Sequence, residues 1–282
     1  MLLSGCTNEI QRGWMPSTPN TTDQTGRIMS LWNGSWIAAW LVGAVVWGLI
    51  IWCIVAYRRR RTDTGLPVQL RYNLPLEILY TVIPIMMVAV LFFFTARDEA
   101  AIADVSKKPD VLINVVGKQW SWDFNYTNEN VYEAGIQGQL TGQPGVESQL
   151  PTLYLPVNKR VEFDLTSEDV NHSFWVPSFL YKLDVIPGVR NRFQIVPQTI
   201  GTYRGKCAEL CGEYHSEMLF NVKVVSQADY EAHIQQLKAA GQVGQLDSNL
   251  GRSYTPPGAG AVPGNGGFTP PDNGGANGTG SK

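Results

Sequence analysis

Histidine is nearly absent from this chain. It occurs three times in 282 residues, as His172, His215 and His233, and cysteine is little commoner at four. So few cysteines cannot supply the dense disulfide framework of a small secreted scaffold. No Cys-x-x-Cys-His run occurs, so the chain carries no c-type haem attachment motif of its own. Charge is sparse as well: 16% of residues are charged, and 22 Lys and Arg oppose 24 Asp and Glu for a net charge of −2. That balance lacks the basic excess on which nucleic-acid binding draws, and no such partner is expected.

What little ligand chemistry there is sits in one place. Twelve residues, Cys207-Ala208-Glu209-Leu210-Cys211-Gly212-Glu213-Tyr214-His215-Ser216-Glu217-Met218, hold two thiols, an imidazole and a thioether. Thiolate and thioether are soft donors that favour copper, and imidazole suits it equally. A mononuclear blue-copper loop needs one thiolate, whereas two held four residues apart can bridge two ions. Two other readings stand beside this one. The cysteines could form a disulfide outside the cytoplasm, or join a zinc site, although zinc prefers closed Cys and His sets without Met. His172 weighs toward copper. It lies 35 positions upstream of Cys207, in a strand-like segment, and an upstream strand His with a ligand-rich later loop is the cupredoxin arrangement.

The N-terminal part is built for a membrane. Leu2-Leu3-Ser4-Gly5-Cys6 resembles a lipoprotein lipobox, with Cys6 as the acylated residue, although most of a signal peptide is missing. Residues up to 30 are polar and read as an irregular leader. Trp36 to Tyr57 then runs without charge, long enough to span a bilayer as a helix, and four arginines, Arg58 to Arg61, mark its cytoplasmic end. A second span is expected from about Leu74 to Ala96, making residues 31–98 a hairpin with both outer ends extracytoplasmic. Glu77 falls in the first turn of that span. An intramembrane carboxylate is a functional candidate, but a helix N-terminal acid stabilised by the dipole fits equally.

Beyond Asp110 the period changes to two. Trp120, Trp122, Phe124 and Tyr126 alternate with polar residues, which predicts a half-buried strand with one aromatic face. Further strands are expected over 152–156, 160–165, 173–176, 192–196, 201–206 and 219–225, punctuated by Pro, Gly and Asn, as in a Greek-key sandwich. Residues 127–150 read as an insertion into a domain spanning 105–240, with a role in meeting another subunit or a tethered donor. A short amphipathic helix follows at 227–240, with His233 expected on its solvated face. Residues 241–282 are expected to be a disordered tail, because 251–282 alone hold ten Gly and five Pro.

Five segments together resemble the cytochrome c oxidase subunit 2 family. They are the Cys207–Met218 loop, Gly117-Lys118-Gln119-Trp120-Ser121-Trp122, Ser167-Glu168-Asp169-Val170-Asn171-His172-Ser173, Asp184-Val185-Ile186-Pro187-Gly188 and the membrane hairpin. The resemblance covers roughly residues 30 to 240. It implies a membrane-anchored α+β chain, with a two-helix hairpin followed by an extracytoplasmic all-β cupredoxin-like sandwich. It also implies a dinuclear copper A centre, with Cys207 and Cys211 bridging, His172 and His215 capping, and Met218 and the Glu209 carbonyl as weak ligands. The Glu209 carboxylate would meet a magnesium or manganese ion shared with subunit 1. Trp120 would receive electrons from a c-type cytochrome, docked with help from Asp184 in an acidic surface that includes Glu168 and Asp169. Glu77 would stand at the mouth of a proton channel, and haem would reside only in subunit 1. Ser121 and Lys118 replace residues usual in that family, which leaves a poorer aromatic path around Trp120. Two rival readings are a membrane-anchored copper chaperone or thiol–disulfide protein, and a quinol oxidase subunit 2. The first should show βαβ alternation, and the second should lack the ligand cysteines and histidines.

Overall fold

The structure is a computed structural model that describes residues 20–246 except 63, 67–68 and 139–145. Cys6, the centre of the insertion and the tail beyond 246 lie outside the described residues. Two long helices come first, α1 (Thr25–Ala56) and α2 (Leu74–Ile102), each long and apolar enough to cross a membrane. At about 1.5 Å per residue, both exceed the roughly 30 Å hydrocarbon layer, so each has a polar extension. Arg27 of α1 ion-pairs across to Asp98 of α2 at 3.1 Å, joining those extensions.

The expectation of an irregular leader up to residue 30 is corrected, because α1 already begins at Thr25. Its start is set by polar contacts that carry no hydrophobic period. The Thr22 and Thr25 hydroxyls meet at 2.9 Å, and the preceding residues are pinned to the β-domain. Asp23 N–H donates to the Val196 carbonyl, Val196 N–H donates to Asp23 Oδ1, and Gln198 N–H donates to the Thr21 carbonyl. On the other side, Gln194 Nε2 donates to the Val105 and Lys107 carbonyls just after α2. Both outer ends of the hairpin are therefore tied to one edge of the domain.

Among the described residues that domain is a sandwich of ten strands: β1 (Val111–Lys118), β2 (Ser121–Tyr126), β3 (Val131–Glu133), β4 (Thr152–Pro156), β5 (Val161–Ser167), β6 (His172–Val176), β7 (Tyr181–Val185), β8 (Asn191–Ile195), β9 (Gly201–Cys207) and β10 (Leu219–Val225). One sheet has the order β3-β2-β1-β5-β8 and the other β4-β10-β9-β6-β7. The β1–β5 and β4–β10 pairs are parallel, the rest antiparallel. The strand pattern called for a two-sheet sandwich, and the architecture is cupredoxin-like, as the family resemblance implied. Three strands, β1, β3 and β7, were not among those expected: β3 is only three residues long, β1 is a nearly continuous apolar run without regular alternation, and the alternation Tyr181-Lys182-Leu183-Asp184-Val185 of β7 was present but overlooked.

The inner faces meet in an aromatic core. The Phe220 ring lies 4.9 Å from Phe174, 5.4 Å from Trp122 and 5.8 Å from Phe124. Its cross-strand partner is Gly205, where an added Cβ would fall 2.0 Å from the ring. The glycine lets the ring lie directly on the β9 backbone, below the loop that follows that strand.

Three expectations about exposure need correction. Strand β2 is buried on both faces rather than one. Its outer residues are covered by later chain: Asp123 accepts from Gly135 N–H and Lys118 Nζ, and Asn125 exchanges two hydrogen bonds with Leu246. Trp120 lies in the β1–β2 turn, not in the strand. His233, expected in solvent, is buried on α3 (Gln227–Ala239), stacked on Tyr154 at 3.7 Å and 3.3 Å from a Glu133 carboxylate oxygen. Helical spacing could have revealed it, because His233 shares the i, i+3, i+4, i+7 stripe of Tyr230, Ile234 and Leu237 that faces the domain.

Removing the ring at the centre of this core should be costly. Phe220→Ala is expected to destabilise the sandwich by about 3–5 kcal/mol, measured by denaturant titration. A loss below about 1 kcal/mol would contradict this account of the core.

Candidate metal centre

Three chain segments bring the donors together. His172 opens β6, Cys207 closes β9, and Met218 immediately precedes β10. Strands β6 and β9 pair with Phe174 opposite Cys207. Side chains on one face recur every second residue, so His172 shares the Cys207 face. The loop between β9 and β10 is closed at its base by the Cys207 N–H donating to the Met218 carbonyl at 3.0 Å, and Ala208 N–H ties it to Ser173 of β6. A single 3-10 turn, His215–Glu217, then returns the chain toward Cys211.

The resulting donor set has two halves. The Cys207 and Cys211 sulfurs lie 3.9 Å apart, against about 2.05 Å for a disulfide. His172 Nδ1 is 3.9 Å from the Cys207 sulfur, and His215 Nδ1 is 3.4 Å from that of Cys211. Met218 Sδ lies 3.8 Å from Cys211, and the Glu209 carbonyl oxygen 3.2 Å from Cys207. The ligand atoms of His172, Cys207 and Cys211 all fall within 4.8 Å of one another, and all three residues are buried. Each sulfur thus has its own imidazole and its own weak donor. A tetrahedral zinc site uses four donors around one point, whereas this set fits a pair of soft ions sharing two thiolates.

The surroundings orient these groups. Asp169 Oδ1 lies 2.7 Å from His172 Nε2, which leaves Nδ1 facing the sulfur. Such a carboxylate fixes ring orientation in many metal sites. Asp169 Oδ2 also accepts from Gln119 N–H, and Gln119 Nε2 in turn donates to the Cys211 carbonyl at 2.7 Å. Sequence reasoning placed Asp169 only in an acidic surface and overlooked Gln119. Asp169 stands three residues before His172, a spacing that was available as a signal. Trp120, half-buried, donates its indole N–H to the same Cys211 carbonyl at 3.2 Å and meets Tyr214 edge-on at 4.9 Å.

The two thiols differ. Burial pushes both up. For Cys207 the adjacent His172, together with backbone contacts at Glu209 and Ser173, more than offsets that push and leaves the thiol below its ordinary value. Cys211, with Cys207 beside it, is pushed up to about 12.

The remaining candidates lie elsewhere. The Glu209 side chain is exposed on the loop. Asp184 is half-exposed in β7, and its carboxylate pairs with Lys182 at 3.4 Å. Glu77 is far off in sequence at the start of α2, where Oε1 accepts from Asn73 N–H at 3.1 Å, an ordinary helix-capping contact.

The inequality of the thiols has a direct readout. The thiolate is the nucleophile, so in metal-free protein between about pH 8 and 9 iodoacetamide should modify Cys207 before Cys211. Site-resolved mass spectrometry checks the order, and Cys211 reacting first would contradict it. Because metal must displace the Cys211 proton, loading should release protons to an indicator dye and strengthen as pH rises.

Comparison with known proteins bears on this arrangement. A sequence model of the family described as "Cytochrome C oxidase subunit II, periplasmic domain" matches residues 111–225. The probable cytochrome c oxidase subunit 2 of Streptomyces avermitilis is 48% identical over 281 residues, covering 89% of this chain and 87% of that one. The cytochrome c oxidase subunit 2 of Mycobacterium tuberculosis is 36% identical over 284 residues, covering 83% of this chain and 77% of its own. Among solved structures, the periplasmic domain of subunit II of cytochrome oxidase from Bradyrhizobium japonicum is 30% identical with a TM-score of 0.44, over 48% of this chain and 97% of that one.

Proposed function

The chain belongs to the cytochrome c oxidase subunit 2 family, part of an oxidoreductase complex, and we propose that it is the subunit through which electrons enter that complex. The observation that carries this is the two-sided donor set, a sulfur pair 3.9 Å apart with one imidazole on each side. Cys207 and Cys211 would bridge two copper ions, His172 and His215 would cap one each, and Met218 and the Glu209 carbonyl would complete the set. When bound, such a pair supplies one-electron chemistry in which the charge change is shared between two ions, so that little rearrangement accompanies transfer.

The protein's own contribution is geometry and access. Burial of both cysteines keeps water from the thiolates, and Asp169 holds the His172 ring in place. Trp120 presents a half-exposed ring to the outside while its indole N–H reaches the Cys211 backbone. A c-type cytochrome docked there would be one hydrogen bond from the ligand loop. Leu210, 78% exposed, offers an apolar contact beside it. Asp184 would add charge complementarity, which chiefly speeds encounter. Electrons would pass on to haem in subunit 1, where oxygen is reduced and protons are pumped. The exposed Glu209 carboxylate is free to meet a magnesium or manganese ion at that boundary.

Two apolar helices anchor the chain, and the four arginines after α1 orient it with the sandwich on the extracytoplasmic side. Glu77, at the opposite end of the hairpin, would then face the cytoplasmic surface as a proton-channel residue. Acylation of Cys6 would add a second anchor. Residues 241–246, expected to begin the disordered tail, instead pair with Asn130, Tyr132 and Asn125 of the sandwich.

Stopped-flow mixing of copper-loaded full-length chain with a reduced c-type cytochrome tests the proposal. Rapid oxidation is expected. Trp120→Ala should slow it by about 10-fold or more, equivalent to about 1.4 kcal/mol on the barrier, with copper content unchanged. Oxidation at the parent rate in Trp120→Ala would remove that residue from the route, and undiminished oxidation in Cys207→Ser would overturn the site itself.

A further inference from the structure

The start of the insertion after β3 does not stand away from the domain. Residues 134–138 run along the outer face of β2 and end against the ligand loop. Gly135 N–H donates to the buried Asp123 carboxylate at 2.8 Å. A Cβ on Gly135 would lie 2.0 Å from the Trp122 carbonyl oxygen, so the backbone rests directly on the strand. Three residues on, a Cβ at Gly138 would fall 2.7 Å from Leu150 Cδ2 and 3.0 Å from the Glu217 carbonyl oxygen. Between them, Gln137 Nε2 donates to Glu217 Oε2 at 2.9 Å. Glu217 closes the 3-10 turn that begins at His215 and immediately precedes Met218.

We infer that this stretch is a strap that positions the second half of the ligand loop. Gln137 and Glu217 are its clasp. The first half needs no such help: Cys207 ends a strand, and His172 lies in the adjoining one. His215, by contrast, hangs on a single short turn between Cys211 and the anchored Met218, and the strap supplies a contact to that turn from outside. Anchored at Asp123 and seated by Gly138, it fixes how close that turn comes to Cys211. The inference rests on the copper reading for its purpose but not for its geometry, and the two are separable by experiment.

Gln137 is half-buried, so its replacement leaves the core intact. In metal-free full-length chain, Gln137→Glu sets two carboxylates against each other and should open the turn. Maleimide labelling of Cys211 should rise severalfold relative to Cys207, since Cys207 is held by β9. The exchanged pair, Gln137→Glu with Glu217→Gln, restores an amide–carboxylate hydrogen bond with the roles reversed, and the ratio should return to that of the parent. After copper loading, Gln137→Glu should lose metal to a chelator faster than the parent, with the exchanged pair again restoring retention. An unchanged ratio in Gln137→Glu, or a failure of the exchanged pair to restore it, would overturn the strap. A restored labelling ratio in a chain that binds no copper would leave the strap standing and remove the copper reading instead.

Discussion

Everything at the candidate centre depends on holding two sulfurs side by side in a buried place without letting them bond. Two thiolates at 3.9 Å repel each other once charged, and their surroundings treat the two thiols unequally: burial raises both, but contacts with His172 and the backbone draw Cys207 down while burial and Cys207 itself push Cys211 up. The scaffold must therefore enforce a spacing that the free side chains would not choose. It does so with backbone. Strand pairing between β6 and β9 sets His172 and Cys207, and the Cys207–Met218 hydrogen bond closes the loop at its root. Beneath lies Phe220, seated on Gly205 and packed against Trp122 and Phe174. A core of interlocked rings tolerates little displacement, so the loop rests on a firm floor.

The same logic extends toward the membrane. The sandwich is not tethered by one flexible linker. Residues 20–23 pair beside β8 before α1 starts, and Gln194 holds the chain just after α2. The Arg27–Asp98 pair then joins the two helices at that end. A donor set on a domain clamped at two points keeps a constant position relative to the two apolar helices.

Much of this was legible in the residues. Strands with clear alternation, such as Leu219–Val225, came out with the expected bounds, and both apolar helices are present, though α1 starts earlier and α2 ends later than the apolar runs indicated. Local composition also singled out Cys207, Cys211, His215 and Met218, because soft donors rarely crowd into twelve residues by accident. What stayed hidden was set by distant chain. The outer face of β2 reads as wet until residues 134–138 and 244–246 lie across it, whereas the burial of His233 was legible in its stripe with Tyr230, Ile234 and Leu237 and was overlooked. Asp169 was read as surface charge although it stands three residues before His172, whose Nε2 its carboxylate meets at 2.7 Å. Thr22 and Thr25 start a helix that no apolar period announces.

The central claim is that the two halves of the donor set hold two copper ions as one unit. Electron paramagnetic resonance on the copper-loaded full-length chain tests it most directly. The account predicts hyperfine structure shared over two copper nuclei, lost in Cys207→Ser. Splitting from a single copper nucleus in the parent chain would contradict it.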